Sequence, residues 1–256
     1  MNLIQLPLGL IGIGLGTILL PTISRMLSKG EDQAAMETQN RGIELALFLT
    51  LPATVAFITV AEPIVRGLFQ YGRFSAEDAM RCGWALSAFS IGLPSYVLVK
   101  VLTPGYYARS DTRTPVRFAL VAIAVNIVGN VALIPTIGYL GPPVATAVSA
   151  AINAALLFWT LRKRGQFRAD ARLLRRLPRL ALAAAIMGGA LALALPLIRP
   201  FMAGDMVQRG VTLAVLVAAG GAVYIAASFL TGAFRLSDLK ALRHRAPQPT
   251  PSEPEQ

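Results

Sequence analysis

The chain has 256 residues, of which 55% are hydrophobic and 14% charged, and its formal net charge is +11 at pH 7. This composition leaves too little polar surface to wrap a water-soluble globule of that size, so a soluble domain is excluded. The positive charge does not indicate a nucleic-acid partner, because aromatic residues make up only 7% and the basic residues fall between apolar stretches. The sequence therefore predicts an all-α polytopic membrane protein.

Seven apolar segments are long enough to cross the hydrocarbon core of a bilayer as helices, which takes about 20 residues each. They lie at residues 3–21, 43–62, 82–103, 116–136, 140–161, 179–198 and 210–232. Nineteen of the 24 lysines and arginines fall in the connections on one side of the predicted membrane, and five fall on the other. Because positively charged connections stay in the cytoplasm, we expect a cytoplasmic C-terminus and an external N-terminus.

The connection between the third and fourth segments, residues 100–117, is a polar and basic hinge. Its Pro104-Gly105 pair predicts the end of one helix, because proline lacks a backbone donor and glycine tolerates left-handed geometry. Thr114-Pro115 is placed to open the next helix. The hinge holds four basic side chains against one acidic side chain: Lys100, Arg109, Arg113 and Arg117 against Asp111. This excess of positive charge places the hinge on the cytoplasmic side.

Segments four and five contain an ordered set of polar groups at predicted membrane depth. Asn126 and Asn130 share one face of segment four, and Thr146, Ser149 and Asn153 form a stripe on segment five. Two interpretations stay open. The groups can hydrogen-bond to each other and hold the helices together, or their oxygens can bind Na⁺ or another hard cation, although they include no carboxylate.

The remaining charged stretches have simpler interpretations. Glu44 and Glu62 lie near the two ends of segment two, where water is within reach, which favours solvated carboxylates over a buried proton relay. Residues 166–178 predict a basic interfacial linker, because eight basic residues between 162 and 179 suit an anionic leaflet. Residues 233–256 begin basic and become proline-rich and acidic, which predicts a disordered cytoplasmic tail.

The sequence offers no pattern for catalysis or for a bound metal. The one histidine, His244, lies in the basic tail, and the one cysteine, Cys82, excludes an intrachain disulfide. No glycine-rich phosphate loop, paired CxxC or HExxH motif occurs. We therefore expect neither an enzyme nor a tightly bound cofactor.

Four stretches of the chain carry a family resemblance: residues 5–21, which open Gln-Leu-Pro, residues 68–74, the hinge at 100–116, and residues 156–162. They resemble the MurJ/MviN family of bacterial lipid II flippases, within the multidrug/oligosaccharidyl-lipid/polysaccharide exporter superfamily, and they occur in that family's order. The hinge is the longest and most specific of them. The resemblance covers nearly the whole chain but only the C-terminal half of the family's fourteen helices.

The resemblance implies that the seven helices are the eighth to fourteenth of such a transporter. Residues 1–165 would form the C-terminal transport lobe with five transmembrane helices, and residues 179–232 two additional helices with a groove for the lipid tail. Such proteins flip the undecaprenyl-pyrophosphate-linked precursor lipid II from the inner to the outer leaflet of the bacterial cytoplasmic membrane by alternating access, for cell-wall biosynthesis. The expected partners are lipid II, membrane lipids and an N-terminal half that this sequence lacks.

The resemblance also implies a substrate cavity and cytoplasmic hinge, formed by Asn2, Gln5, Lys100, Arg109, Asp111 and Arg113. Family members usually carry an Asp-Arg pair before the Gln-Leu-Pro motif, but Met1 and Asn2 stand there in this chain. One arginine expected to meet the head group is therefore missing. Arg109, Asp111 and Arg113 either take part in transport or only hold the hinge in place.

Asn126, Asn130 and Thr146 fall near the family's ion-site positions, which brings the cation interpretation level with hydrogen bonding. Na⁺ or H⁺ would then be the coupling ion, and a carboxylate would have to come from the family's seventh helix. Two alternatives to a lipid II flippase remain at this stage. One is another exporter of the superfamily, for drugs or polyprenyl-linked saccharides, and the other is a non-transporting scaffold of cell-wall assembly.

Overall fold

The computed structural model describes residues 5–69, 75–198 and 200–233, with side chains from residue 16 onwards except at 203 and 206. Every regular element within these ranges is a helix. The α-helices are α1 (Gln5–Ser28), α2 (Asp32–Thr59), α3 (Ala61–Phe69), α4 (Ala76–Ile91), α5 (Leu93–Tyr107), α6 (Arg113–Ile137), α7 (Gly141–Lys163), α8 (Ala171–Ile198) and α9 (Met206–Leu230). Two 3-10 turns, Gly138–Leu140 and Pro200–Ala203, precede α7 and α9.

Most of each predicted apolar segment lies in a helix, although the third segment is divided between α4 and α5. Five helical runs are long and apolar enough to cross a membrane: Asp32–Thr59, Ala76–Tyr107, Arg113–Lys163, Ala171–Ile198 and Val207–Leu230. The run Arg113–Lys163 folds back at its 3-10 turn, so that Asn126 of α6 meets Thr146 of α7 and the two helices are antiparallel. The fold class is therefore that of a helical, multi-pass membrane protein, as predicted.

Two helices begin well before the apolar segments that they contain. α2 begins at Asp32 rather than at residue 43, and α8 begins at Ala171 rather than at 179. The backbone N–H of Leu173 donates to the carboxylate of Asp170 over 2.7 Å, which satisfies one of the free donors in the first turn of α8. Residues 171–178 of the predicted linker are therefore the first turns of a continuous helix.

The third segment is one apolar run divided at Gly92, where α4 ends and α5 begins. A Cβ atom at Gly92 would lie 2.9 Å from the Cα of Ala147 on α7, so glycine is required for this close approach. Pro94 lies in the first turn of α5, where its missing N–H has no partner to lose. The break therefore serves helix packing within one membrane-spanning run.

The prediction that Pro104-Gly105 ends the helix is wrong, because α5 continues through the pair to Tyr107. Gly105 packs closely on Gln39 of α2, whose side-chain nitrogen would lie 2.5 Å from an added Cβ. The helix stops where Ser110 takes the left-handed conformation with φ of 58°, which turns the N–H of Asp111 onto the carbonyl of Tyr106. As predicted, α6 then opens beside Pro115.

The helices bury two main groups of apolar side chains, and α2 contributes to both. The first lies between α1, α2, α5 and α7, and its largest fully buried members are Ile23, Leu102, Tyr106, Leu157, Leu161 and Phe167. The second joins α8 and α9 to α2 and α3, and it includes Val60, Ile64, Met187, Leu216 and Tyr224. Leu51 of α2 packs against both groups, so this helix connects the rest of α1–α7, which we call the lobe, to the α8–α9 pair.

The connections divide between two ends of the bundle. We call one the hinge end; there Arg164 after α7 contacts Asp111, Arg41 of α2 contacts Asp170, and Arg179 of α8 contacts the Gly232 carbonyl. The opposite end holds α3, the start of α4 and the turns before α7 and α9. The described basic residues of the predicted cytoplasmic side are thus gathered at the hinge end.

Adjacent glycines of α8 provide a matched test of this packing. An alanine Cβ at Gly188 would lie 2.5 Å from a methyl carbon of Val55, whereas one at Gly189 would meet nothing within 4 Å. We expect Gly188→Ala to lower the free energy of unfolding by about 1–3 kcal/mol through overpacking. Gly189→Ala should leave it unchanged or raise it, because alanine favours helix. Unfolding of micelle-embedded protein by sodium dodecyl sulfate, followed by circular dichroism, measures both; equal stabilities would contradict this packing.

Candidate functional site

The densest charge cluster lies at the hinge end, where α2 meets α8. Glu44 is only 8% exposed, and its carboxylate accepts from three arginines: Arg41 over 2.9 Å, Arg172 over 3.5 Å, and Arg176. Arg41 also contacts Asp170 at 2.6 Å. These five side chains, which we call the Glu44 cluster, join the lobe to the start of α8.

The sequence-based interpretation of Glu44 as a solvated carboxylate is therefore wrong. Arg172 and Arg176 lie four residues apart on one face of α8, and this face packs on α2 because α8 begins earlier than predicted. Arg176 lies 132 positions from Glu44 in the sequence, so no local pattern indicated the pairing. The matching interpretation of Glu62 is confirmed, since its side chain is 45% exposed and pairs with Arg66 at 3.3 Å.

The short connection between α7 and α8 is hydrogen-bonded to α2 beside this cluster. The side-chain nitrogen of Asn40 donates to the Arg168 carbonyl over 2.8 Å, and its side-chain oxygen accepts from the Asp170 N–H over 3.4 Å. Phe167 is fully buried, with its ring centroid 5.3 Å from that of Phe158. The connection is therefore a packed part of the hinge end.

Asp111 organises the hinge itself. Its carboxylate accepts from the Thr114 N–H over 3.0 Å, from the Thr114 hydroxyl over 2.6 Å and from Arg164 over 2.6 Å. The hydrogen bonds from Thr114, and then that from Arg164, lower the pKa of Asp111 to about 2. Asp111 is therefore charged at neutral pH, and it links the start of α6 to the end of α7.

Arg109 also bonds within the protein. Its guanidinium donates to the Gly105 carbonyl over 2.7 Å and to the Gln166 carbonyl over 3.4 Å. Burial lowers the pKa of Arg109, while the nearby charge of Asp32 raises it. Because the arginine guanidinium is not deprotonated in proteins, Arg109 stays a cation. Its observed contacts are those of a residue that holds the hinge together.

Lys100 and Arg113 differ from Arg109 and Asp111, because the described residues give their side chains no hydrogen bond and no ion pair. Lys100 is half-buried on α5 beside Gly16 of α1, and Arg113 is exposed at the first residue of α6. Of the other predicted site residues, Asn2 lies outside the described residues. Gln5 is the first residue of α1, and its side chain is not among those described. The tail predicted at 233–256 lies outside the described residues apart from Ala233.

Three members of the predicted polar set, Asn126, Asn130 and Thr146, come together between α6 and α7, whereas the buried side-chain oxygen of Asn153 has no hydrogen-bond partner among the described residues. Asn130 donates to the side-chain oxygen of Asn126 over 3.1 Å, Asn126 donates to the Thr146 hydroxyl over 3.1 Å, and Thr146 donates to the Pro142 carbonyl over 2.7 Å. Ser149 bonds to the carbonyl of Thr146 rather than across the helices. This chain of bonds favours the helix-packing interpretation. In the part of the chain that the structure describes, no three His, Cys, Asp or Glu side chains cluster nearby or elsewhere, and the coupling role of Na⁺ or H⁺ stays a prediction.

The α8–α9 pair presents a wide apolar surface. Its highly exposed large side chains include Leu193, Leu197, Val207, Val211, Val215, Val217 and Leu230. At the opposite end, a cavity of about 330 Å³ separates α8 from α2 and α3, lined by Thr59, Glu62, Pro63, Arg66, Leu195, Ile198 and Met202. The pair is therefore attached to the lobe on one side and open to an apolar environment on the other.

Comparison with known proteins gives one consistent family. The sequence model described as "Lipid II flippase MurJ" matches residues 1–212. A probable lipid II flippase MurJ from Rhizobium meliloti is 44% identical over 238 residues, which cover 92% of this chain and 44% of the relative. One from Vibrio cholerae is 39% identical over 240 residues, covering 94% of this chain and 46% of the relative.

A solved structure titled "Lipid II flippase MurJ, inward closed conformation" has a similar fold. It superimposes with a TM-score of 0.72 at 22% identity, and the match covers 92% of this chain and 45% of that one. The chain thus spans a little under half the length of the relatives it matches.

The Glu44 cluster can be tested by removing its carboxylate. We expect Glu44→Gln to lower the free energy of unfolding by about 3 kcal/mol, because the change removes a buried carboxylate that pairs with arginines of both α2 and α8. The exposed Glu37 of the same helix, which accepts from Gln33 over 3.2 Å, provides the matched control Glu37→Gln, and this change should cost less than about 0.5 kcal/mol. Detergent-based unfolding measures both. Equal effects of the two changes would show that Glu44 does not hold α8 to α2.

Proposed function

Because the chain belongs to the MurJ family of lipid II flippases, we propose that it supplies the C-terminal half of a transporter that moves lipid II across the cytoplasmic membrane. The match of the family's sequence model over residues 1–212 carries this proposal. The activity is transport rather than catalysis, and it belongs to the assembled protein with both halves. Alternating access of the two halves would carry the head group from the inner to the outer leaflet.

The proposal requires a polar path for a pyrophosphate-linked head group, which cannot cross hydrocarbon unaided. Arginine and lysine bind phosphate oxygens through charge-assisted hydrogen bonds. Among the described residues, Lys100, Arg113 and Arg117 have side chains without a bonded partner, and the first two belong to the predicted cavity, so they are available to a phosphate. We assign the pyrophosphate contact to these two residues. Arg109 and Asp111 are assigned to holding the hinge, because their charged groups already bond within it.

The same proposal requires an apolar path for the polyprenyl tail. The exposed side chains of α8 and α9 are aliphatic, and a tail lying against them would exchange lipid contacts for similar apolar contacts at little cost. The pair is fixed to α2 at the hinge end by the Glu44 cluster. We therefore assign the tail to this surface.

The large exposed surface of α6 and α7 is a candidate contact surface for the other half of the transporter. Only 6% of the apolar window of the Arg113–Lys163 run is buried, although these two helices pack closely on each other. Side chains such as Leu120, Ile127 and Val131 are more than half exposed. In water such a surface would be unstable. In the assembled transporter, lipid and the other half would cover it.

Coupling to an ion gradient is part of the proposal, with Na⁺ or H⁺ as the candidate ion. The side-chain oxygens of Asn126, Asn130 and Thr146 support it, since they lie within one hydrogen-bonded set between α6 and α7. A bound cation would have to displace at least one of these hydrogen bonds, and its carboxylate ligand would have to come from the other half.

We propose that the hinge end faces the cytoplasm, which follows from its excess of basic residues. Fusions of alkaline phosphatase and of green fluorescent protein at two positions test this orientation. After Gly165, at the hinge end, we expect fluorescence without phosphatase activity. After Gly204, at the opposite end, we expect phosphatase activity without fluorescence. The reverse pattern would place the hinge end outside and contradict the proposed direction of transport.

A chimaera tests the activity in cells. This chain would replace the C-terminal half of the Rhizobium meliloti relative, in cells depleted of their own copy of that relative. We expect the chimaera to restore growth and the appearance of lipid II at the outer face, detected with a membrane-impermeant reagent. Replacing both Lys100 and Arg113 with alanine should slow flipping by about tenfold or more, because each loss removes a charge-assisted bond to phosphate.

Arg81→Ala is the matched control for the chimaera, because Arg81 is exposed at the opposite end and pairs only with Glu77. It should leave growth and flipping unchanged. Failure of the unmodified, membrane-inserted chimaera would count against the flippase assignment. Normal flipping by the Lys100→Ala/Arg113→Ala chimaera would count against the assigned phosphate contact. Growth without flipping would instead support a scaffold.

A further inference from the structure

A second basic site lies outside the hinge, on the outer face of α7 at the hinge end. A cavity of about 450 Å³ opens between the end of α7 and the start of α8. It is lined by Phe158, Arg162, Phe167, Arg168, Ala169 and Leu174. An adjoining cavity of about 530 Å³ is lined by Trp159, Arg162 and Lys163. Arg162 borders both, and we call the two adjoining cavities together the recess.

The recess contains cations without counter-ions. Across the described residues, the side chains of Arg162, Lys163 and Arg168 make no ion pair and no hydrogen bond, and the recess lining includes no carboxylate. The nearest acidic residue in the sequence, Asp170, is held by Arg41 and by the first turn of α8. The recess is therefore positively charged and is available to an anion.

The helical geometry of α7 directs this recess away from the core. Leu157 and Leu161 are buried, whereas Trp159 and Lys163, two residues further along, lie on the opposite side of the helix and are exposed. Trp159 is 69% exposed, and Leu174 on the facing turn is 61% exposed. A tryptophan with neighbouring cations is typical of the interface between lipid head groups and acyl chains.

The walls of the recess match both parts of a phospholipid. Two guanidinium groups suit a phosphate, and basic pockets between membrane helices are known to bind anionic head groups. The aromatic and aliphatic side chains of Phe158, Trp159 and Leu174 suit the adjoining acyl chain. A free phosphate would use only the cations and leave these apolar groups unexplained.

We propose that the recess is a binding site for one anionic glycerophospholipid of the leaflet at the hinge end. Arg162 and Arg168 bind its phosphodiester, and its acyl chain lies against Trp159 and Leu174. The bound lipid neutralises the outer side of the α7–α8 connection, whose inner side is fastened to α2 through Asn40. This site goes beyond lipid II transport, because it holds a resident lipid on the outside of the lobe.

Tryptophan fluorescence tests the site, because the chain has two tryptophans and Trp84 lies on α4 at the opposite end. The intact chain carrying Trp84→Phe, reconstituted in phosphatidylcholine bilayers, leaves Trp159 as the reporter. A minor fraction of brominated phosphatidylglycerol or brominated phosphatidylcholine then acts as the quencher. We expect brominated phosphatidylglycerol to quench with an apparent affinity about fivefold higher than that of brominated phosphatidylcholine. This factor corresponds to the attraction of about 1 kcal/mol between one basic residue and an anionic surface.

Arg162→Gln/Arg168→Gln should abolish this preference, and each single substitution should reduce it. Arg175→Gln is the control, because Arg175 is an exposed cation of the same region that does not line the recess. It should keep the preference. Circular dichroism and size-exclusion chromatography show whether each variant is folded. If the double variant misfolds, the comparison is made with the two single variants.

Three results would overturn the proposal. The first is equal quenching by the two brominated lipids in the parent protein. The second is a preference that survives loss of both recess arginines or falls equally in Arg175→Gln, since either would indicate diffuse attraction to the surface. The third is competition by millimolar inorganic phosphate, which would indicate a site for small anions rather than for a lipid.

Discussion

The carboxylate of Glu44 is the constraint on which the arrangement of the helices depends. A charge removed from water is tolerated only when counter-ions and hydrogen bonds surround it. Here they come from Arg41 on α2 itself and from Arg172 and Arg176 on α8. For two arginines of α8 to reach one carboxylate on α2, the start of α8 must lie in a single register against α2. The position of the whole α8–α9 pair follows from that register.

The two ends of the α8–α9 pair are held by different forces. At the hinge end the contacts are ion pairs and hydrogen bonds, which require specific distances and directions. At the opposite end they are mainly apolar, such as Leu213 of α9 against Gly67 of α3, and a cavity lies beside them. Apolar contacts have no fixed direction. The hinge end therefore determines the register, and the opposite end is the more easily rearranged part of the interface.

Much of the fold could be predicted from the sequence, because apolar length and charge distribution are local properties. The positions of the apolar segments and the meeting of Asn126 with Thr146 follow from helix periodicity and a short turn. The burial of Glu44 could not be predicted, because its main partner is 132 positions away. The continuation of α5 through Pro104 was missed for a similar reason. The end of α5 depends on the left-handed conformation of Ser110. Gly105 is a glycine because Gln39 of α2 lies against it, and a sequence does not show this contact between helices.

The basic residues at the hinge end illustrate a limit of counting charges. The rule that places basic connections in the cytoplasm treats every lysine and arginine alike. The structure separates them: Arg164 and Arg176 are neutralised by carboxylates of the protein, whereas Arg162 and Arg168 line a recess without one. A cation already paired inside the protein gains little from an anionic leaflet. An attraction between this end and an anionic leaflet would therefore come from the unpaired cations, which only the three-dimensional structure distinguishes.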